Sequence, residues 1–333
     1  MTVTKYREST TMTDNLKMGM NGNGTRESGK SPIIEARGVA KRFGTFQALQ
    51  SMDAEVCAGE CVGLLGPNGA GKSTFIGCLY GVVLRTGGDL QVFGHDPATQ
   101  AGAIKRRIGV VPQENALDEG LTVLENMRIY ARFGGVDRTV ADARIGSLLD
   151  HMSLAGKQGA TIKTLSGGMK RRLTFVRALL ADPEMLILDE PTTGLDPSVR
   201  HLLWEKVTEL KNEGRTILLT THYMHEAEVL CDRIVILDHG KVVGTGAPRE
   251  LIDRETPGFV GIFLKDTEGK LRPALSDRWE LFQQGHHCCV RAPRFDDLLD
   301  LQQRSGVVAL QLRPANLEDV YLKLTGSELN EYE

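Results

Sequence analysis

Residues 66–73 read Gly-Pro-Asn-Gly-Ala-Gly-Lys-Ser, an ungapped match to G-x-x-x-x-G-K-S, and they restrict the fold more than any other stretch of the chain. The five residues before them (CVGLL, 61–65) are wholly apolar or glycine, the pattern of a strand buried on both faces. The residues after them, 72–80, are patterned as a helix. Strand, glycine-rich loop and helix in that order predict an α/β fold built on a parallel sheet. The residue types also imply a ligand. A triphosphate needs many donors at close range, and glycines at 66, 69 and 71 let the backbone curl so that successive N–H groups point inward. The helix that starts there adds the positive end of its dipole. In such a cradle Gly66, Pro67, Asn68, Gly69, Ala70 and Gly71 wrap the phosphates and Thr74 extends the donor row. Lys72 reaches the β- and γ-phosphates, and the Ser73 hydroxyl is a ligand for Mg²⁺. The expected cofactors are ATP and Mg²⁺.

A second constellation lies at 185–190 (MLILDE), four apolar residues followed by two acids. The apolar run belongs inside the sheet, and the acids emerge at the strand's carboxyl end, where α/β folds bind ligands. Asp189 is placed to hold Mg²⁺, and Glu190 to orient or deprotonate an attacking water. Strands are predicted at 88–93 and 108–112, and further buried-type strands at 216–220 and 234–238, the latter two each after a helical segment. Between 114 and 165 the period turns helical, with helices expected over 123–133 and 140–152.

The chain has 333 residues and a formal net charge of −3, so it lacks the basic excess of a nucleic-acid binder. It contains no apolar run of about 18 residues, the length a membrane-spanning helix needs. None of its six cysteines forms a C-x-x-C pair, which argues against a metal cluster or a disulfide framework. The adjacent Cys288 and Cys289 are expected to be ordinary strand residues. Residues 1–30 are polar and predicted to be a disordered tail. The α/β pattern runs over 31–251. From 252 to 333 Pro, Gly and charge become frequent, and a small α+β appendage is expected, with Asn316 as the N-cap of its last helix.

The segment Leu165-Ser166-Gly167-Gly168-Met169 stands before a predicted helix over 170–181, and the acidic pair follows that helix. In this the sequence resembles the ABC ATPase family, whose signature is LSGGQ. The resemblance implies a P-loop NTPase fold with a mainly parallel sheet, an antiparallel β subdomain and the helical insertion. It implies that Ser166, Gly167 and Gly168 form an anion-binding nest facing the nucleotide of a second subunit, so that two ATPs are sandwiched in a head-to-tail homodimer. Met169 departs from the usual Gln, yet the backbone donors remain and function is expected to survive. Lys170, Arg171 and Arg172 are expected on a solvated helix face or at partner contacts. The remaining family stations occur in order. Phe43 (KRFG) matches the aromatic that stacks on adenine, and Gln113 (VPQEN) the glutamine that ligates Mg²⁺ and water. Asp196 (GLD) matches the loop that crosses the dimer, and His222 (TTHYM) the histidine that contacts the γ-phosphate. The implied catalytic set is Glu190, His222, Lys72 and Gln113, with Ser73, Gln113 and Asp189 on the metal.

Segments such as LTVLENMRIYARFGG, LILDEPTTGLDP and ILLTTHYMHEAEVLCDR look like the multidrug and polysaccharide exporter branch, above all the nodulation-factor export ATPases. LRPANLEDVYLKLTG resembles the tail of that branch. The resemblance implies an ATPase peripheral to the cytoplasmic face of the inner membrane. It would power export of a lipo-oligosaccharide or a hydrophobic drug-like cargo through a separate integral-membrane permease. The alternative is a soluble ABC ATPase acting on ribosomes or DNA. Such proteins carry two cassettes or long coiled coils, and the sequence has neither.

Overall fold

The computed structural model describes residues 31–326, so the tail expected at 1–30 lies outside the described residues. Two long strands, β1 (Pro32–Phe43) and β2 (Phe46–Cys57), pair as an antiparallel hairpin. The chain then enters β3 (Cys61–Leu65), every residue of which is buried. After the glycine loop come α1 (Lys72–Leu79) and β4 (Gly87–Val92), which pairs with the other edge of β1 to give the order β2-β1-β4. α2 (Pro97–Lys105), capped by the Asp96 side chain, leads into β5 (Ile108–Val111).

Here the chain leaves the sheet for the helical insertion, α3 (Val123–Phe133) and α4 (Arg138–His151). The start of α3 follows from a capping box. Thr122 Oγ1 accepts from the Glu125 N–H at 3.3 Å, and the Glu125 carboxylate accepts from the Thr122 N–H at 2.8 Å. Three βα steps then return to the sheet: α5 (Gly167–Leu179) to β6 (Met185–Asp189), α6 (Pro197–Asn212) to β7 (Thr216–Thr221), and α7 (Met224–Leu230) to β8 (Arg233–Asp238). β9 (Lys241–Gly246) folds back antiparallel on β8. The six-stranded order is β5-β6-β7-β3-β8-β9, with every pair but the last parallel.

Alternation along these strands separates two cores. Leu186 and Leu188 of β6 face one side, packed with Met127, Leu173 and Trp204. Met185 and Ile187 face the other, packed with Phe75, Ile76 and the three-stranded sheet. Gly109 marks a close approach: a Cβ there would lie 2.2 Å from the Ala178 carbonyl oxygen and 2.9 Å from Leu186 Cδ2. Gly109→Ala should therefore force β5 and α5 apart and cost about 1–3 kcal/mol. The urea unfolding midpoint checks this, and an unchanged midpoint would contradict the packing.

The C-terminal part comprises α8 (Pro248–Glu255), β10 (Phe259–Leu264), α9 (Glu268–Leu271), β11 (Glu280–Gln284), β12 (His287–Ala292), α10 (Phe295–Ser305), β13 (Gln311–Pro314) and α11 (Leu317–Thr325). Its antiparallel sheet runs β11-β12-β10-β13, and Cys288 and Cys289 are buried strand residues in β12. Asn316 does cap α11, with Asp319 completing a capping box. Two differences from expectation stand out. Sequence patterning predicts no strand at β10 or β11, because β10 is broken by Gly261 and β11 is polar. Residues 307–310, whose apolar run VVAL suits a strand, precede β13 as irregular chain: the Val307 and Ala309 N–H groups donate to the Ser305 and Gln302 side chains, and the Leu310 N–H to the Ile262 carbonyl. α11 does not stay with its own sheet. Leu317, Val320 and Tyr321 are fully buried in the same core as Leu230, Ile234, Ile236 and Leu251.

Candidate nucleotide-binding site

Four neighbouring parallel strands end on the same side of the sheet. β3 ends in the glycine loop, β5 runs toward Gln113, β6 ends at Asp189, and β7 ends one residue before His222. The register aligns them, since Leu65 pairs with Thr221 and Asp189 with Thr220. Ligand sites of parallel sheets form at this edge.

The loop has the shape that glycine permits. Gly69 and Gly71 have φ of 83° and 106°. A Cβ on Gly66 would lie 2.4 Å from the Leu237 carbonyl oxygen, and one on Gly71 2.7 Å from that of Ala48. Gly71 is the N-cap of α1 and no side chain caps that helix, so its first-turn N–H groups stay available to an anion. Lys72, the first helical residue, curls back into the loop. Its Nζ donates to the Gly66 carbonyl at 2.7 Å and the Pro67 carbonyl at 3.2 Å, and lies 3.7 Å from Glu190 Oε1. Burial pulls the ammonium's pKa down, and Glu190 and Asp189 oppose that shift.

Glu190 is where the strand ends converge. Its Oε2 accepts from Gln113 Nε2 at 3.4 Å and Thr193 Oγ1 at 3.3 Å, and lies 3.4 Å from His222 Nδ1. The hydrogen bond with His222 is the main cause of a pKa below the usual glutamate value, against the cost of burial. Glu190 thus holds its charge at neutral pH, the state a base requires. Its neighbour is shifted the other way: burial raises Asp189, although Thr220 Oγ1 donates to Asp189 Oδ1 at 2.5 Å. Two adjacent acids with opposed shifts fit a division of labour. Glu190 also has a φ of 46°, uncommon for a residue with a side chain.

The signature glycines are not a loop before a helix, as the pattern predicts; they are the first turn of α5. Ser166 is the N-cap, and its Oγ accepts from the Met169 N–H at 3.3 Å. Gly168 packs close to Val199 of α6. Asp196 caps α6 by accepting from the Val199 N–H at 3.0 Å, so a structural task accounts for its position in this subunit. The expectation for the basic triplet needs correction. Lys170 donates to Glu119 at 2.6 Å and Arg172 to the Met152 carbonyl at 2.9 Å. Arg171, far from being solvated, is buried.

The pocket bounded by the loop is lined by Phe46, Ala48, Pro67, Asn68, Gly69, Gly71, Lys72, Ser73, Thr74, Gln113 and Glu190. Phe43 is not in that lining. It is exposed, pairs across the hairpin with Phe46, and carries the Lys41 ammonium 4.6 Å from its ring centre. Phe46 was missed by sequence reasoning; its position two residues before Ala48 in β2 was the available signal. Also missed was Glu226 of α7, fully buried, whose Oε1 accepts from Thr192 Oγ1 and Trp204 Nε1, each at 2.8 Å. It ties the segment after Glu190 to α6 and to the helix after His222.

Ser73, Gln113 and Asp189 offer hydroxyl, amide and carboxylate oxygens, the hard donors Mg²⁺ prefers. Among the described residues no group of three or more His, Cys, Asp or Glu could hold a metal. A sparse set of this kind suits an ion that keeps several waters and binds substrate phosphates.

Residues 49–193 match the ABC transporter family, and residues 272–326 match the C-terminal domain of nodulation factor export protein NodI. The chain is 44% identical to a Nod factor export ATP-binding protein I of Cupriavidus pinatubonensis, over 90% of this chain and 92% of that one. It is 42% identical to the protein of that name in Rhizobium etli, over 92% and 98%. Among solved structures, an ATP-binding subunit of an ABC transporter superposes with a TM-score of 0.62 at 32% identity, covering 67% of this chain and 92% of the other. A dimeric ATP-binding cassette bound to ADP and Pi gives 0.59 at 25% identity, covering 64% and 98%.

Proposed function

Because this chain belongs to the Nod factor export ATP-binding protein I family of ABC transporter ATPases, we propose that it is the ATP-hydrolysing subunit of an exporter, working on a separate membrane permease. The observation that carries the reading is the convergence of Lys72, Gln113, Thr193 and His222 on the Glu190 carboxylate beside the glycine loop.

Phosphoryl transfer asks the protein for positioning and charge stabilisation more than for covalent chemistry. Residues 66–74 cradle the phosphates, and the Lys72 ammonium leaves the Gly66 and Pro67 carbonyls for phosphate oxygens. Glu190 orients the water and takes its proton, and His222 steadies the γ-phosphate end. Phe43 and its partner Phe46 offer aromatic faces to adenine. Ser73, Gln113 and Asp189 would hold Mg²⁺, and the ion would supply charge neutralisation for phosphoryl transfer. Ser166, Gly167, Gly168 and Asp196 face the nucleotide of a second copy, so the working unit is a homodimer.

Residues 31–251 form the ATPase unit, and the insertion at about 114–165 meets the permease. The appendage from 252 docks its last helix on the ATPase core and regulates or steadies the dimer. No helix among the described residues is long and apolar enough to cross a membrane; in this reading the chain attaches peripherally, through that permease, at the cytoplasmic face of the inner membrane. The relatives' names support a lipo-oligosaccharide cargo, with hydrophobic drug-like molecules as the second class.

Affinity purification of the full-length chain from detergent-solubilised membranes tests the reading. The expected result is recovery of an integral-membrane permease in fixed ratio, with ATP turnover in the complex. Recovery with ribosomes or nucleic acid and no permease would overturn it.

A further inference from the structure

Arg171 makes more hydrogen bonds to backbone carbonyls than any other side chain near the site, and phosphate binding uses none of them. Its Nε donates to the Pro191 carbonyl at 2.6 Å. Nη1 donates to Pro112 at 2.5 Å and Gln113 at 3.1 Å, and Nη2 to Asp189 at 3.1 Å and Glu190 at 2.7 Å. Five carbonyls from two segments are thus gathered on one buried guanidinium. Three of them, 189–191, are consecutive, and they flank the residue whose φ is 46°. A backbone held in a sparsely populated region persists only where its surroundings over-determine it. Here Arg171 holds the carbonyl side of the turn, while the Thr220 carbonyl and hydroxyl accept from the Glu190 N–H at 3.0 and 3.1 Å.

The same helix face continues the contact. Thr174 Oγ1 donates to Asn115 Oδ1 at 3.2 Å, Arg177 Nη1 to the Ala116 carbonyl at 2.8 Å, and Lys170 to Glu119. Residues 112–119 are laid along the signature helix, with Arg171 as the point where that seam meets the catalytic strand.

We propose that Arg171 is a positioning residue that sets the Glu190 carboxylate and the Gln113 side chain relative to one another by gathering the carbonyls of both segments. The proposal rests on the ATPase reading. It also makes the signature helix, the Gln113 segment and the Glu190 turn one mechanical piece, so that displacement of Gln113 moves Ser166–Gly168 with it. Only a planar fork can serve two carbonyl sets in this way. A lysine keeps the charge and offers three donors from a single point.

Steady-state Mg-ATP turnover of the full-length chain as R171K and R171Q tests this, with hydrogen exchange at 112–119 as a second readout. The expectation for R171K is a fall in kcat of about tenfold or more, since a displacement of about 1 Å can cost on the order of a hundredfold. KM should stay within about twofold, because the cradle at 66–74 is untouched, and exchange at 112–119 should quicken. A kcat within about twofold of wild type in either folded variant would overturn the proposal, as would KM rising in step with any fall in kcat. Failure of both variants to fold would make Arg171 a folding determinant and equally overturn it. A wild-type chain that turns over no ATP even in complex with its permease would instead sink the ATPase reading, and this proposal with it.

Discussion

Glu190→Gln is expected to lower ATP turnover by about a hundredfold or more while leaving ATP affinity within about threefold. A positioned general base contributes on the order of 10²- to 10⁴-fold, and the amide cannot accept the water's proton. The substitution is otherwise mild. Gln has nearly the same shape, and its amide oxygen can still accept from Thr193 or Gln113, the neighbours of Glu190 Oε2. The backbone turn at φ 46° is held through main-chain groups by Thr220 and Arg171, which the change does not touch. With hydrolysis blocked and binding intact, the variant should accumulate as an ATP-bound dimer, visible by light scattering. Turnover near wild type would remove Glu190 from its assigned role.

Lys72→Ala should act on the other quantity. Its ammonium is buried, held by two loop carbonyls and facing the Glu190 carboxylate. A hydrogen bond to a charged group is worth ~1.5–3 kcal/mol, and each 1.4 kcal/mol is a factor of ten. ATP affinity measured by calorimetry should therefore fall about ten- to a hundredfold, with turnover falling at least as far. The fold should survive, because burial already disfavours the charged lysine, as its lowered pKa records. Glu190 loses one of the cations that hold its own pKa down, so that pKa should rise. Unchanged affinity would contradict the cradle.

The parts of the site that lie at strand ends were legible in the sequence because geometry ties them to short, fixed offsets. An apolar run followed at once by Gly66 or by Asp189-Glu190, or by two threonines and then His222, delivers those residues to the carboxyl edge of a parallel sheet. What the sequence concealed was burial of charge and return of distant chain. Arg171 sits between Lys170 and Arg172, and a basic triplet on a helix predicts solvent; only the carbonyls of 112–113 and 189–191, brought together by the sheet, make it a buried hub. Glu226 is hidden for the same reason, since Thr192 and Trp204 come to it from other elements. The apolar face of α11 was legible as amphipathic, yet nothing local says that Tyr321 packs with Ile234 and not with β10. β10 itself is short and interrupted by Gly261, and takes its place from pairing on both sides with β12 and β13.

Phosphate release by the purified full-length chain in Mg-ATP, measured beside its Glu190→Gln form, bears most directly on the nucleotide site. Steady release by the wild type, with retention of uncleaved ATP by the variant, is the predicted pair of results. Equal release from both forms, or none from the wild type even in complex with its permease, would contradict the account.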